Sequence, residues 1–195
     1  MLPDAGQLLL PTSLLTAALG VRLFIAAVFV FAAQHKLRNR LRFQGIVRQY
    51  KLTPASASAA LSLAIPLCEF GIAVALLVLP LIGALMAAAL LGLYAGGIAI
   101  NLVRGRQHID CGCGGEATPL STALIGRNLL MVFMVLLVLF VETSEFTTVL
   151  AELSVFSAVL GCAFAAGLGA IYVCFNQLQV NAGIHQRLWL EAQTD

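Results

Sequence analysis

Charged side chains are scarce in this sequence: 10% of 195 residues, beside 61% hydrophobic. A soluble domain carries about 25% charged and 45–50% apolar residues. There is too little polar surface here to face water on all sides, which excludes a soluble globular domain. Cysteine is sparse as well. Five in a chain of this length exclude a secreted fold held by disulfides. The net charge of +2 is too small for a nucleic-acid binder. No Lys or Arg precedes Arg22, so the basic segment that opens a cleaved signal peptide is missing. The first apolar stretch is therefore expected to stay as a span. No internal repeat or low-complexity segment is evident.

What the sequence has in quantity is long apolar runs. A helix needs roughly 20 apolar residues to cross a bilayer. Five runs meet that need, at about 14–33, 55–79, 81–103, 122–141 and 153–175. The expected fold is a single all-α integral membrane domain over 1–195, with an interfacial segment at 36–54 and a polar loop at 104–120. In the interfacial segment Leu37, Leu41, Ile46, Val47 and Tyr50 recur at roughly helical spacing, and Arg38, Arg40, Arg42, Arg48 and Lys51 fill other positions. That pattern suits an amphipathic helix lying on anionic lipid. Pro80 is the only turn signal between the second and third runs, so these form a tight hairpin. Ala84, Ala88, Gly92 and Gly96 make a small-residue stripe, and Gly161, Ala165 and Gly169 a second, along which helices can approach closely. A short polar tail is expected from Asn176 onward.

Five spans put the 36–54 segment, the 104–120 loop and the tail on one side. Apart from Arg22 and Arg127, which lie within spans, that side carries nine of the eleven Lys and Arg residues. The other side carries Glu142, Glu145 and Glu152 in or beside its loop. The positive-inside rule places the 104–120 loop in the cytoplasm. The periplasmic face is the alternative, open if the basic segment binds lipid or protein instead of acting as a loop.

The string Cys111-Gly112-Cys113-Gly114-Gly115 is the most informative. Two thiols one residue apart can close a disulfide only if the backbone bends sharply, and glycine permits such a bend. The small ring should be strained and readily reduced, which fits thiol exchange better than bracing. Arg104, Arg106 and His108 lie nearby, and positive charge favours the nucleophilic thiolate. Two other readings stand beside this one. His108, Cys111 and Cys113 supply three metal ligands, or the string is an inert glycine turn.

Glu69 is the second signal, a carboxylate near the middle of an apolar span, where an unpaired charge is costly. Arg127 or Arg22 could neutralise it and Asn128 could donate a hydrogen bond. It is then either an ion pair that fixes packing, or a proton acceptor and charged wall for a redox cofactor. Cys68 beside it is a buried small hydrophobe or an electron relay from the loop pair. Cys162 and Cys174 read as inert packing residues. His35 and Lys36 end the first span and are expected to snorkel to headgroups. Tyr94 reads as an ordinary helix-contact residue.

Taken in order, His35-Lys36-Leu37, Tyr50 and Pro54, Pro66 and Glu69, Asn101-Leu102 with Arg104-Gly105-Arg106, the Cys111 to Gly115 string, and Arg127-Asn128 resemble the MauE family of methylamine utilisation proteins, within the wider MauE/DoxX group of redox-associated membrane proteins. The resemblance is most specific from about Arg22 to Asn128. It implies a DoxX-like bundle of four transmembrane helices plus a fifth, in the bacterial inner membrane. It implies a membrane thiol–disulfide oxidoreductase that helps to mature the disulfide-rich small subunit of methylamine dehydrogenase. The implied partner is MauD, a membrane-anchored thioredoxin-like protein. Cys111 and Cys113 would be the redox pair, with Glu69, Arg127 and Asn128 as a polar cluster. Reoxidation needs an electron acceptor, for which a quinone is plausible, although no quinone motif is readable. The alternatives are a non-catalytic scaffold that docks the partner, with Gly92 and Gly96 in its contact, and a His/Cys metal-handling protein.

Overall fold

The computed structural model describes residues 12–113, 118–142 and 154–192. Gly114, Gly115, Glu145 and Glu152 lie outside the described residues. The chain runs as α1 (Thr12–Arg38), α2 (Arg40–Tyr50), a single 3-10 turn (Ala55–Ala57), α3 (Ser58–Val78), α4 (Pro80–Val103), α5 (Thr122–Glu142) and α6 (Val155–Glu191). Among the described residues, five stretches are long and apolar enough to cross a membrane: Ser13–Arg38, Ala55–Val78, Pro80–Val103, Thr122–Phe140 and Val155–His185. They match the five expected runs, so the chain is an all-helical multi-pass membrane protein.

Four of the helices close into a ring. α1 packs on α3 and α5, and α4 packs on the same two. Each turns one stripe inward at helical spacing: Ile25, Phe29, Ala33 and Lys36 on α1; Pro66, Glu69, Ala73 and Leu76 on α3; Ala84, Ala87, Leu91, Ala95 and Ile98 on α4; Leu124, Asn128, Met131, Val135 and Val138 on α5. The opposite faces carry exposed Phe31, Phe70, Leu93 and Phe133. In lipid such faces cost nothing, and close packing between helices does the holding.

The first small-residue stripe is only half realised. Ala84 is buried, but Gly92 and Gly96 are exposed with open space around them. A row taken every four residues drifts about 40° per step on a 3.6-residue helix. It therefore leaves the contact face within two steps, and the packed row passes to Ala87, Leu91 and Ala95. The second stripe does pack at Gly161. A Cβ on Gly20 of α1 would lie 2.9 Å from the Gly161 carbonyl oxygen and 2.7 Å from the Phe164 ring, so α6 crosses α1 at near backbone contact.

The α3–α4 hairpin is as tight as Pro80 implied. Leu79 N–H donates to Ala75 O at 2.7 Å, and Gly83 N–H donates to Leu79 O at 2.8 Å. A Cβ on Gly83 would sit 2.3 Å from the Leu76 backbone nitrogen. Gly83→Ala is expected to destabilise the bundle by about 1–3 kcal/mol, the usual cost of overpacking, read as a lower unfolding temperature of the detergent-solubilised protein.

The polar tail is helical: α6 runs on past Asn176 to Glu191, 37 residues in all. The sequence places no proline there to stop it, and tertiary contacts hold it. Ser121 Oγ donates to Gln179 Oε1 at 3.0 Å, and Gly183 lies beneath the Pro119 ring. α2 also finds protein where lipid was expected. Its Phe43 and Ile46 are buried, whereas Leu41 is 84% exposed. Arg40 and Arg48 donate to Ser62 Oγ (3.4 Å) and Ser58 Oγ (2.9 Å) on α3, which fixes α2 across the end of the ring.

Candidate functional site

The loop between α4 and α5 is held by its backbone and by one carboxylate. Arg106 N–H donates to Asn101 O and Leu120 N–H to Gln107 O, both at 2.9 Å. Cys111 N–H donates to Thr118 O at 2.9 Å, beside an isolated antiparallel bridge between Asp110 and Pro119. Asp110 Oδ1 accepts from the Gly112 and Thr118 N–H groups, and its Oδ2 accepts from Arg42 Nη2 at 2.8 Å. Asp110 thereby ties the cysteine loop to α2. Tyr50 hydroxyl donates to Cys111 O at 3.2 Å. Burial, with a further push from the Asp110 carboxylate, holds the Tyr50 phenol above its ordinary range against the opposing pull of Arg127, so it stays a donor.

Within this frame Cys111 and Cys113 are joined as a disulfide, their Cα atoms 5.4 Å apart. Gly112 between them takes φ +71°, the left-handed region that a side chain makes costly. A Cβ there would also press on Ile46 at 3.1 Å. Arg127 Nη2 donates to Cys113 Sγ at 3.1 Å. Its Nη1 donates to Asn176 Oδ1 at 2.6 Å, and its guanidinium lies 5.3 Å from the Tyr172 ring centroid. α6 thus steers Arg127 toward the sulfur. Asn128, fully buried on the next position, accepts from Arg127 Nη2 at 3.5 Å.

Glu69 does not meet Arg127 or Arg22. Its partner is Lys36, whose ammonium forms an ion pair with Oε1, and Tyr94 hydroxyl donates to the same oxygen at 2.7 Å. Lys36 Nζ also lies 5.1 Å and 5.4 Å from the ring centroids of Tyr94 and Phe43. Lys36 does not snorkel to headgroups; it is 4% exposed. A signal for this was present, since Phe29, Ala33 and Lys36 stand at i, i+4 and i+7 on the buried face of α1. Arg22 sits near the other end of the ring, beside Pro80 and Val138.

A cavity of 390 Å³ unites these groups. Its lining includes Cys111, Cys113, Lys36, Glu69, Tyr94, Arg127 and Asn128. Cys68 is not among them. It is exposed on α3, one residue and about 100° round from buried Glu69. Cys162 and Cys174 are likewise exposed on α6 and not packed inside. His108 is exposed, and no group of three His, Cys, Asp or Glu residues is poised to hold a metal among the described residues.

The family model for methylamine utilisation protein MauE matches residues 13–141, a stretch that holds the ring, the disulfide and every polar group of the cavity named above. The chain belongs to the MauE family. Among curated MauE proteins, that of Paracoccus denitrificans is 44% identical over 115 residues, covering 57% of this chain and 62% of its own length. That of Methylophilus methylotrophus is 37% identical over 160 residues, covering 81% and 83%. That of Methylorubrum extorquens is 42% identical over 113 residues, covering 55% and 60%. The aligned chain thus spans about three-fifths of the Paracoccus denitrificans protein and most of the Methylophilus one. No solved structure matches the chain. Membership in MauE ties the chain to methylamine utilisation, and among the described membrane helices α6 alone lies outside the matched range.

Proposed function

We propose that this chain is a membrane thiol–disulfide oxidoreductase of methylamine utilisation, built on a DoxX-like four-helix core. It acts with a thioredoxin-like, membrane-anchored MauD-type partner to form disulfides in the methylamine dehydrogenase small subunit. The observation that carries this reading is the Arg127 guanidinium on Cys113 Sγ. A partner thiolate attacks Cys111, the Cys111–Cys113 bond breaks, and Cys113 leaves as a thiolate stabilised by that charge. The partner's second thiolate then displaces Cys111. The partner ends oxidised by two electrons, and Cys111 and Cys113 end as thiols. Cys111 is packed with Ile98 and Leu124, so the first step includes a local opening of the loop.

Direct exchange requires loop and partner on one side. The charge rule favours the cytoplasm, whereas a disulfide-rich client requires an oxidising compartment. We place the pair on the periplasmic side. Lys36 lies inside the ring, and Arg40, Arg42 and Arg48 take protein partners, so a raw charge count overstates the free cytoplasmic signal. After mild reduction of spheroplasts, a membrane-impermeant maleimide is expected to label Cys111 and Cys113. Labelling only after lysis rules out direct exchange.

Arg127→Leu removes a charge-assisted hydrogen bond worth about 1.5–3 kcal/mol. The exchange rate with a small dithiol is expected to fall roughly 10- to 100-fold, with partial rescue in Arg127→Lys.

A further inference from the structure

The exchange step leaves two thiols, and the cavity behind them has the features of a site for what reoxidises them. Its volume of 390 Å³ lies within the usual range for a ligand pocket. Its walls are apolar, from Phe29, Ile65, Leu90 and Met131. Leu52 and Leu93 also line it, and both are exposed, Leu93 by 71%. The cavity therefore opens toward lipid, and an occupant can enter from the bilayer.

Inside, three buried polar atoms on the lining residues have no hydrogen-bond partner among the described residues: Glu69 Oε2, Asn128 Nδ2 and Arg127 Nε. Buried polar groups are rarely left so, and each signals an absent partner. Two are donors and one is an acceptor. A ligand that satisfies them carries an oxygen acceptor toward Asn128 and Arg127, and when reduced offers a hydroxyl to Glu69. It is otherwise flat or apolar, dissolves in lipid and takes two electrons.

The geometry points to a lipid-soluble quinone bound in this cavity, accepting electrons from Cys111 and Cys113. This rests on the reading of that pair as an exchanging disulfide. The balance is direct. Two S–H bonds break and one S–S bond forms, two O–H bonds form on the quinone oxygens, and the dithiol loses the two electrons that the quinone gains. Arg127 stabilises the Cys113 sulfur once its proton has left, and Glu69 Oε2, free of the Lys36 and Tyr94 contacts on Oε1, passes that proton to the quinone oxygen.

The test uses the full chain in nanodiscs with decyl-ubiquinone as probe. The reduced, desalted protein is expected to form one equivalent of quinol while its two loop thiols become unreactive to maleimide. Asn128→Leu is expected to weaken binding of the probe to the oxidised protein at least tenfold, measured by equilibrium dialysis. Leu93→Trp, on the exposed rim, is expected to lower quinol formation at least tenfold relative to disulfide exchange with dithiothreitol on the same sample. If wild-type protein exchanges with dithiothreitol but neither binds nor reduces the probe, the quinone site is overturned and the exchange reading stands. If it binds the probe but the disulfide never exchanges, the exchange reading falls, and the redox role of the site with it. Unchanged binding in Asn128→Leu together with unchanged quinol formation in Leu93→Trp overturns the placement.

Discussion

Cys111→Ser and Cys113→Ser are each expected to abolish thiol exchange, and to fail differently. Arg127 donates to Cys113 Sγ, so Cys113 is the sulfur best able to leave as a thiolate. Removing it leaves Cys111 as a lone thiol, with no disulfide for a reduced partner to attack. With a single-cysteine variant of the proposed thioredoxin-like partner, capped as a mixed disulfide with thionitrobenzoate, Cys113→Ser is therefore expected to accumulate a covalent adduct as Cys111 displaces the thionitrobenzoate, seen on non-reducing gels and lost on reduction. Cys111→Ser leaves its remaining thiol beside Arg127 and is expected to trap far less. Both variants should insert normally, because the ring is built by helices other than this loop. Full exchange in both single variants would falsify the mechanism. Equal trapping in both would assign no polarity to the pair.

The second large effect belongs to the buried ion pair. Lys36 and Glu69 are 4% and 1% exposed. Removing one partner strands a charge in an apolar bundle, at a cost of about 3–5 kcal/mol. Lys36→Met or Glu69→Leu alone is expected to lower the unfolding temperature sharply in detergent. The double variant replaces the pair by packed apolar groups of similar size, an exchange that is often neutral or stabilising. It should recover most of the lost stability. If the pair serves only to fix packing, the double variant regains function along with stability. The proton-handling role given to Glu69 expects the opposite: a stable protein that exchanges thiols and no longer reduces quinone. Measuring both on one sample separates the two roles.

Composition alone determined the solvent of this protein. With so few charges and five apolar runs, the only surface the chain can cover is one that faces lipid, and the structure returns the same five spans. The cysteine pair was legible because chemistry that depends on neighbouring sulfurs is written in consecutive residues, and so is its glycine bend. The carboxylate in the membrane was legible for a like reason, since charge at that depth stands out against its surroundings. The identity of its partner was not. Lys36, Arg22 and Arg127 are all cations near apolar segments, and only the packing of α1 on α3 turns Lys36 to Glu69 and leaves Arg22 toward the far end. Spacing every four residues suggested the wrong stripe on α4, because a helix turns by 100° per residue and the contact face follows that angle. The tail was legible as polar, but not its contacts with Pro119 and Ser121, residues about sixty positions away. Sequence periodicity reports which side of a helix is buried. Which two buried sides meet, and therefore which cavity lies between the disulfide and Glu69, is a property of several helices at once and arises only when they close into a ring.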